Sequence, residues 1–271
     1  MILKRLQKRS TVMDVAGKII VVTGGAGGIG RALCLRFSRE GARAVVAADV
    51  DEAGARVTAD EIHGLAVRCD VSREAEVVHL IERTERELGP IDLYCSNAGI
   101  TIDGGVEVSN EDWDRIWHIN VMSHIYAARV LAPAMIKRGG GWFLVTASAA
   151  GLLTQIGSLP YAVTKHAAVG LAENLAITYG DEGFHVAVIC PQAVRSAMTA
   201  QGGGVAAVDG LMEPEELCDS VMEGLANDRF MILPHPEVQT YIERKASNYD
   251  RWIQGMRRLQ QRFKNGRPLK G

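Results

Sequence analysis

The stretch Lys18-Ile19-Ile20-Val21-Val22-Thr23, followed at once by Gly24-Gly25-Ala26-Gly27-Gly28-Ile29-Gly30, decides the fold. Its first half is a short, β-branched apolar run, the pattern of a strand covered on both faces. Its second half is a glycine cluster, after which Arg31–Glu40 takes helical spacing and Gly41 closes it. Strand, glycine turn and helix in that order bring backbone N–H groups and the positive end of a helix dipole to one point. A pyrophosphate can be held there. Glycines also make plain turns, so the surroundings must carry the rest.

Outward from this unit, the alternation repeats. Strand-like runs recur at Arg43–Asp49, Leu65–Asp70, Ile91–Ser96, Gly141–Ala147, Phe184–Cys190 and Arg229–Leu233. Helical patterns fill the gaps, notably Arg73–Leu88, Glu111–Lys137, Ser158–Tyr179 and Glu213–Ala226. Continuous apolar strands separated by helices predict a parallel sheet with helices on both faces, and right-handed crossovers make it a doubly wound α/β fold. No repeat or linker interrupts the pattern, so residues 17–235 read as one domain, between a basic tail (1–16) and a C-terminal helix with a basic tail (236–271).

Composition narrows the function. With 30 basic and 32 acidic residues among 271 and a net charge of −2, no global basic field is available to hold nucleic acid. Five scattered cysteines without a CxxC pair suggest neither a disulfide framework nor a metal site, and fit a reducing, cytoplasmic compartment. No apolar run is expected to span a bilayer. The first thirteen residues are basic and acid-free, as targeting leaders are. Their weak Ser, Ala and Arg enrichment reads instead as a solvated tail. The basic C-terminal helix suits a membrane surface, or packing on its own protein or a second subunit; packing is the expectation.

Several residues carry candidate chemistry. Asp49 ends the second strand 19 residues after Gly30, where a carboxylate accepts hydrogen bonds from adenosine ribose hydroxyls; it is also placed to cap a helix. An acid there repels a 2′-phosphate, and Val50-Asp51 offers no base to hold one, which favours NAD over NADP. Asp70 is open between meeting the adenine and capping the next helix. Asn97-Ala98-Gly99 follows the fourth strand, where small residues let the chain pass close to a cofactor. Tyr161 and Lys165, four apart in a helical segment, share a face. A cationic lysine there is expected to lower the phenol pKa and ready Tyr161 for proton transfer. Ser148 lies past the fifth strand, at the carboxyl edge where open α/β sheets bind ligands.

Taken together, these residues resemble the classical short-chain dehydrogenase/reductase family, over roughly Gly17 to Leu233. Its TGxxxGxG pattern is met by Thr23, Gly24, Gly28 and Gly30, its NAG motif by Asn97-Ala98-Gly99, and its YxxxK by Tyr161 and Lys165. Asn120 and Ser148 match its helix asparagine and catalytic serine. The resemblance implies a Rossmann-like, single-domain sheet of about seven strands in the order 3-2-1-4-5-6-7. It implies Tyr161 as general acid or base and Lys165 as ligand of the nicotinamide ribose. Ser148 would orient the substrate oxygen, and Asn120 would help hold a proton-relaying water. Cofactor contacts would extend to Ile29, Val71, Pro191, Val194 and Ser196; no metal is required. One departure is Gln192, where the family has glycine after Pro191; its side chain is expected to narrow the substrate region.

Specificity is expected from the loops Ile100–Val106, Ala149–Leu159 and Gln192–Leu211. Leu152, Leu153, Ile156, Met198, Val205 and Leu211 would supply apolar contacts, and Gln155 and Gln192 polar ones. Residues 192–212 would form a lid. These point to an apolar secondary alcohol or ketone, steroid- or terpenoid-like. The resemblance implies a homotetramer or homodimer joined through the helices at Glu111–Lys137 and Ser158–Tyr179. Two other readings stand beside the NAD-dependent dehydrogenase: a related enzyme with NADP preference or net non-redox chemistry, and an NAD(H)-sensing binding protein. The intact Asn120, Ser148, Tyr161 and Lys165 set argues against a sensor.

Overall fold

A computed structural model describes residues 12–200 and 204–264. Most of the basic N-terminal tail, the end of the C-terminal tail and three positions (201–203) of the segment expected to form a lid lie outside the described residues. The seven strands are β1 (Ile19–Thr23), β2 (Ala44–Asp49), β3 (Leu65–Arg68), β4 (Leu93–Ser96), β5 (Gly141–Thr146), β6 (Phe184–Ile189) and β7 (Met231–Ile232). They form one sheet in the order β3-β2-β1-β4-β5-β6-β7, every pair parallel. The predicted topology is therefore the observed one.

The helices are α1 (Gly28–Arg39), α2 (Glu52–Glu61), α3 (Glu74–Glu87), α4 (Asn110–Trp117), α5 (Ser123–Lys137), α6 (Ala150–Leu153), α7 (Leu159–Tyr179), α8 (Pro214–Ala226), α9 (Glu237–Ser247) and α10 (Tyr249–Lys264). Side-chain alternation along the strands divides the core in two. Ile20 and Val22 of β1, with Leu144 of β5, pack on α1, α2 and α8 through Leu33, Phe37, Ala55 and Leu217. Val21, Phe143 and Val145 face α3, α5 and α7 through Leu80, Leu131 and Ala168. A strand buried on both faces must be apolar at every position, which is why these runs lack polar alternation.

Some expected elements are refined. The long helix expected at Glu111–Lys137 is broken by a π-helical turn, His118–Met122, between α4 and α5. Over Asn110–Lys137 the chain is long and apolar enough, by length and composition alone, to cross a membrane. Its Ile116, Val121, Leu131 and Met135 are buried in the protein, as in a core helix. The C-terminal helix is two helices, divided at the extended Asn248. Both pack on the chain itself: Val238, Tyr241, Ile242 and Trp252 close over Ala149 and Leu153.

The glycine loop is held by contact rather than by its own stiffness. Gly24 has φ +72°, and a Cβ there would lie 2.9 Å from Asn97 Nδ2. A Cβ on Gly30 would lie 2.0 Å from the Gly24 carbonyl oxygen, whereas one on Gly27 would meet nothing within 4 Å. Gly30→Ala is therefore expected to destabilise the protein by about 2–4 kcal/mol, while Gly27→Ala remains within about 1 kcal/mol of wild type. Urea unfolding of the two variants checks this; equal losses would show that the loop is not closely packed at Gly30.

Candidate active site

The buried Thr23 hydroxyl ends β1 and accepts from the backbone N–H of Asn97 (2.9 Å) and Ala98 (3.1 Å). Asn97 Nδ2 donates back to the Thr23 carbonyl at 2.9 Å. These bonds staple the glycine loop to the turn after β4. Asn97 thus builds the cradle, and Ala98 and Gly99 carry the chain past it. Asp49 does similar work at the end of β2: its Oδ2 accepts from Ala26 N (3.1 Å) and its Oδ1 from Asp51 N (3.0 Å). The cap of α2 is Asp51, not Asp49. Asp70 does not cap α3 either; it accepts from Ser72 N and Oγ (3.0 and 2.7 Å) in the turn after β3. Burial opposes its charge, but these bonds and the Arg73 and Arg68 guanidiniums leave its pKa lowered. Val71, beside it, is buried in the core.

The chemical group gathers at the carboxyl ends of β4, β5 and β6. Lys165 is buried on α7, and its Nζ donates to the Thr146 carbonyl at 2.9 Å. That Nζ lies 5.6 Å from the Tyr161 ring centroid. The Tyr161 hydroxyl is hydrogen-bonded to Ser148. Ser148 Oγ in turn accepts from Ala150 N at 3.0 Å and lies 3.4 Å from the Pro191 carbonyl, which fixes it at the start of α6. Asn120, fully buried in the π-helical turn, accepts from Ile100 N (2.9 Å) and donates to Ile100 O (2.9 Å) and Thr164 Oγ1 (3.2 Å). Its amide locks the loop after β4 to α7.

Electrostatics corrects one expectation. Tyr161 has its pKa raised, not lowered: burial dominates, and the Ser148 hydrogen bond only partly offsets it. Lys165 is itself pushed down to about 8 by burial. Both groups lose solvation in the same pocket, and an ammonium against the ring face does not restore what the phenolate loses there.

Beyond Ser148 opens a cavity of about 630 Å³. Of the residues read as substrate contacts, Gln155, Gln192, Leu153 and Val205 line it, whereas Leu152, Ile156, Met198 and Leu211 do not. Met198 lies on the surface, 46% exposed. Gln192 reaches Asp209 (3.0 Å), which also accepts from the Tyr241 hydroxyl (3.0 Å), so the segment after β6 is tied to α9. Val194 is buried and bridges to Met212; Ser196 packs against Gly28. No cluster of metal-ligating side chains occurs among the described residues.

These features fit a dinucleotide. The first turn of α1 has no side-chain cap and no acid, so its N–H groups are left for a phosphate. Ile29 lies in that turn, half-buried against the core. Asp49 retains lone pairs toward ribose hydroxyls, and the Lys165 ammonium has donors beyond the one Thr146 takes.

Comparison with known proteins places the chain. The short chain dehydrogenase family profile matches residues 18–203. A relative from Streptomyces exfoliatus, 1-deoxy-11-beta-hydroxypentalenate dehydrogenase, is 34% identical over 84% of this chain and 86% of its own. Meso-2,3-butanediol dehydrogenase of Serratia marcescens is 33% identical over 80% and 90%. The crystal structure of a short chain dehydrogenase/reductase from Burkholderia phymatum in complex with NAD superposes with a TM-score of 0.80 at 28% identity, over 88% of this chain and 96% of that one. The chain belongs to the short-chain dehydrogenases, a family of oxidoreductases.

One buried residue carries no mark in the sequence beyond its place four after Asn120. His124 Nδ1 meets Ser96 Oγ at 2.6 Å, and its Nε2 is buried without a partner. Burial, and then the Lys165 charge, push its pKa down to about 3. The unfolded chain takes a proton there below about 6.5, and the folded chain only near 3. Stability from this group is thus present above pH 6.5 and is lost as pH falls, at ~1.4 kcal/mol per unit. Denaturation of His124→Gln between pH 7 and 4 is expected to show a shallower slope than wild type. Parallel slopes would mean that the ring is protonated in the folded state.

Proposed function

We propose that the protein is an NAD(H)-dependent oxidoreductase interconverting an apolar secondary alcohol and its ketone. The observation that carries this reading is that Tyr161 stands between Ser148, which lines the cavity, and the buried Lys165. Gly24, Gly28, Ile29 and Gly30 would hold the pyrophosphate, Asp49 the adenosine ribose, and Asp70 and Val71 the adenine. Asn97, Ala98 and Gly99 would flank the cofactor, with Pro191, Val194 and Ser196 at its nicotinamide end. The nicotinamide supplies or accepts the hydride when bound.

The chain's own residues do the proton chemistry. Ser148 orients the substrate oxygen, and Tyr161 gives that oxygen a proton in reduction and takes one in oxidation. A raised phenol pKa keeps Tyr161 protonated, the form that donates. Lys165 holds the nicotinamide ribose and sets the charge beside Tyr161. The Asn120 amide is spent on Ile100 and Thr164, so Asn120 helps hold a relay water by fixing the loop after β4 against α7. Gln155 and Gln192 are the polar contacts to substrate.

The cofactor choice rests on Asp49, with Val50 exposed beside it and no base in the glycine loop. The five cysteines are free and buried, which supports a reducing, cytoplasmic setting. A homotetramer or homodimer is supported by exposed apolar side chains on α4 and α7, namely Trp117, Leu159, Val163 and Ile177.

Tyr161→Phe is expected to lower kcat by about 10²–10⁴ while NADH affinity stays within about twofold; stopped-flow absorbance and NADH titration check it. Equal loss of both would make Tyr161 structural. Asp49→Ala combined with Val50→Arg is expected to move the NADPH-to-NADH ratio of kcat/KM upward by tenfold or about that. An unchanged ratio would remove Asp49 from the ribose site.

A further inference from the structure

The wall of the cavity opposite Ser148 is built by α9 and α10, which the short-chain dehydrogenase match to residues 18–203 does not reach. These helices supply apolar Trp252, Met256 and Leu259, and also Arg244, Arg251 and Arg258. No Asp, Glu or Lys lines the cavity among the described residues. Arg251 and Arg258 stand seven residues apart on α10, so they share one face with little offset. Neither makes an ion pair among the described residues, whereas Arg31, Arg36, Arg195 and Arg229 each hold a carboxylate. Arg244 leans on the Tyr241 ring, 5.9 Å from its centroid. Along α10, Asp250 is the one acid beside Arg251, Arg257 and Arg258. Among the described residues, no ion pair answers Arg251 and Arg258 at this wall.

We infer that the substrate is amphipathic, with an apolar body and a carboxylate remote from the reacting carbon. The carboxylate meets Arg251 and Arg258, with Arg244 beside them, and the carbinol or keto end reaches Ser148. A planar guanidinium fork matches a carboxylate in a bidentate geometry that a neutral oxygen cannot use. A volume of about 630 Å³ is that of a pocket for a ligand of drug size. With the charge fixed at one end, only one end of the substrate can face Tyr161. This inference rests on the alcohol–ketone reading of Ser148 and Tyr161.

The test uses the full chain saturated with NADH, titrated in a calorimeter with monomeric decanoate and with decanol. Decanoate is expected to bind at least about tenfold more tightly than decanol, and the gap to narrow with added salt. In the Arg251→Gln/Arg258→Gln variant the gap is expected to shrink below about threefold; in Arg251→Lys/Arg258→Lys most of it should survive. NADH titration of each variant reports that the fold is retained. Equal affinities in wild type, an unchanged preference in the glutamine variant, or no binding of either compound overturns the inference. So does pelleting with phosphatidylglycerol vesicles that the glutamine variant loses while no decanoate preference exists, which would assign the arginines to a membrane surface. The readout is binding, so a failure of the dehydrogenase reading, seen in Tyr161→Phe kinetics, is recorded separately.

Discussion

A lysine ammonium held out of water is the constraint on which the site depends. Lys165 is buried on α7 with one backbone carbonyl, that of Thr146, as its acceptor. Removing a cation from water costs several kcal/mol unless it is paired, and the fall of its pKa to about 8 records part of that cost. The surroundings are arranged to tolerate it. His124 nearby stays neutral, Thr146 faces it from β5, and a Cβ on Gly99 would lie only 3.4 Å from its Nζ. A charged group with spare donors in such a place is poised for oxygen acceptors, such as the ribose hydroxyls proposed for it above.

The second constraint is backbone proximity. Gly24, Gly30 and Asn97 approach so closely that no side chain fits between them, and Thr23 ties the two strand ends together. This rigid corner places the uncapped N-terminus of α1 beside the end of β2, where Asp49 stands. Asp49 holds the loop through Ala26 and Asp51 and still presents a carboxylate outward. Holding the loop and the proposed contact with a ribose would use different lone pairs of the same group, so the two do not exclude each other.

The candidate site is assembled from two different parts of the chain. Ser148, Tyr161, Lys165 and Asn120 lie on elements anchored in the two cores, where packing fixes their positions. The cavity is closed by segments outside those cores: the stretch around Val205, tied through Gln192, Asp209 and Tyr241, and the basic face of α10. Loops and terminal helices accept changes of side chain that a sheet core does not. That separation leaves the cavity lining free to differ while Ser148, Tyr161, Lys165 and Asn120 stay in place.

What the amino-acid order determined by itself were the features with a local signature. The apolar, β-branched runs marked the strands, and the glycines after β1, the asparagine after β4 and the Tyr161–Lys165 spacing marked the site. Each depends on neighbours a few residues away, or on a strand buried on both faces and hence apolar throughout. The tertiary structure alone decided the rest. The π-helical turn at Asn120 is hidden in a continuous helical pattern, because it offsets that pattern by a single residue over one turn. His124 meets Ser96 and Lys165 only after three elements pack together. The direction of the Tyr161 shift reversed because a spacing of four reports the nearby charge but not the loss of water around both groups. The fold-back of α10 over Ser148, which brings Arg251 and Arg258 to the cavity, is set by contacts between residues about a hundred apart. No local pattern records a contact of that range.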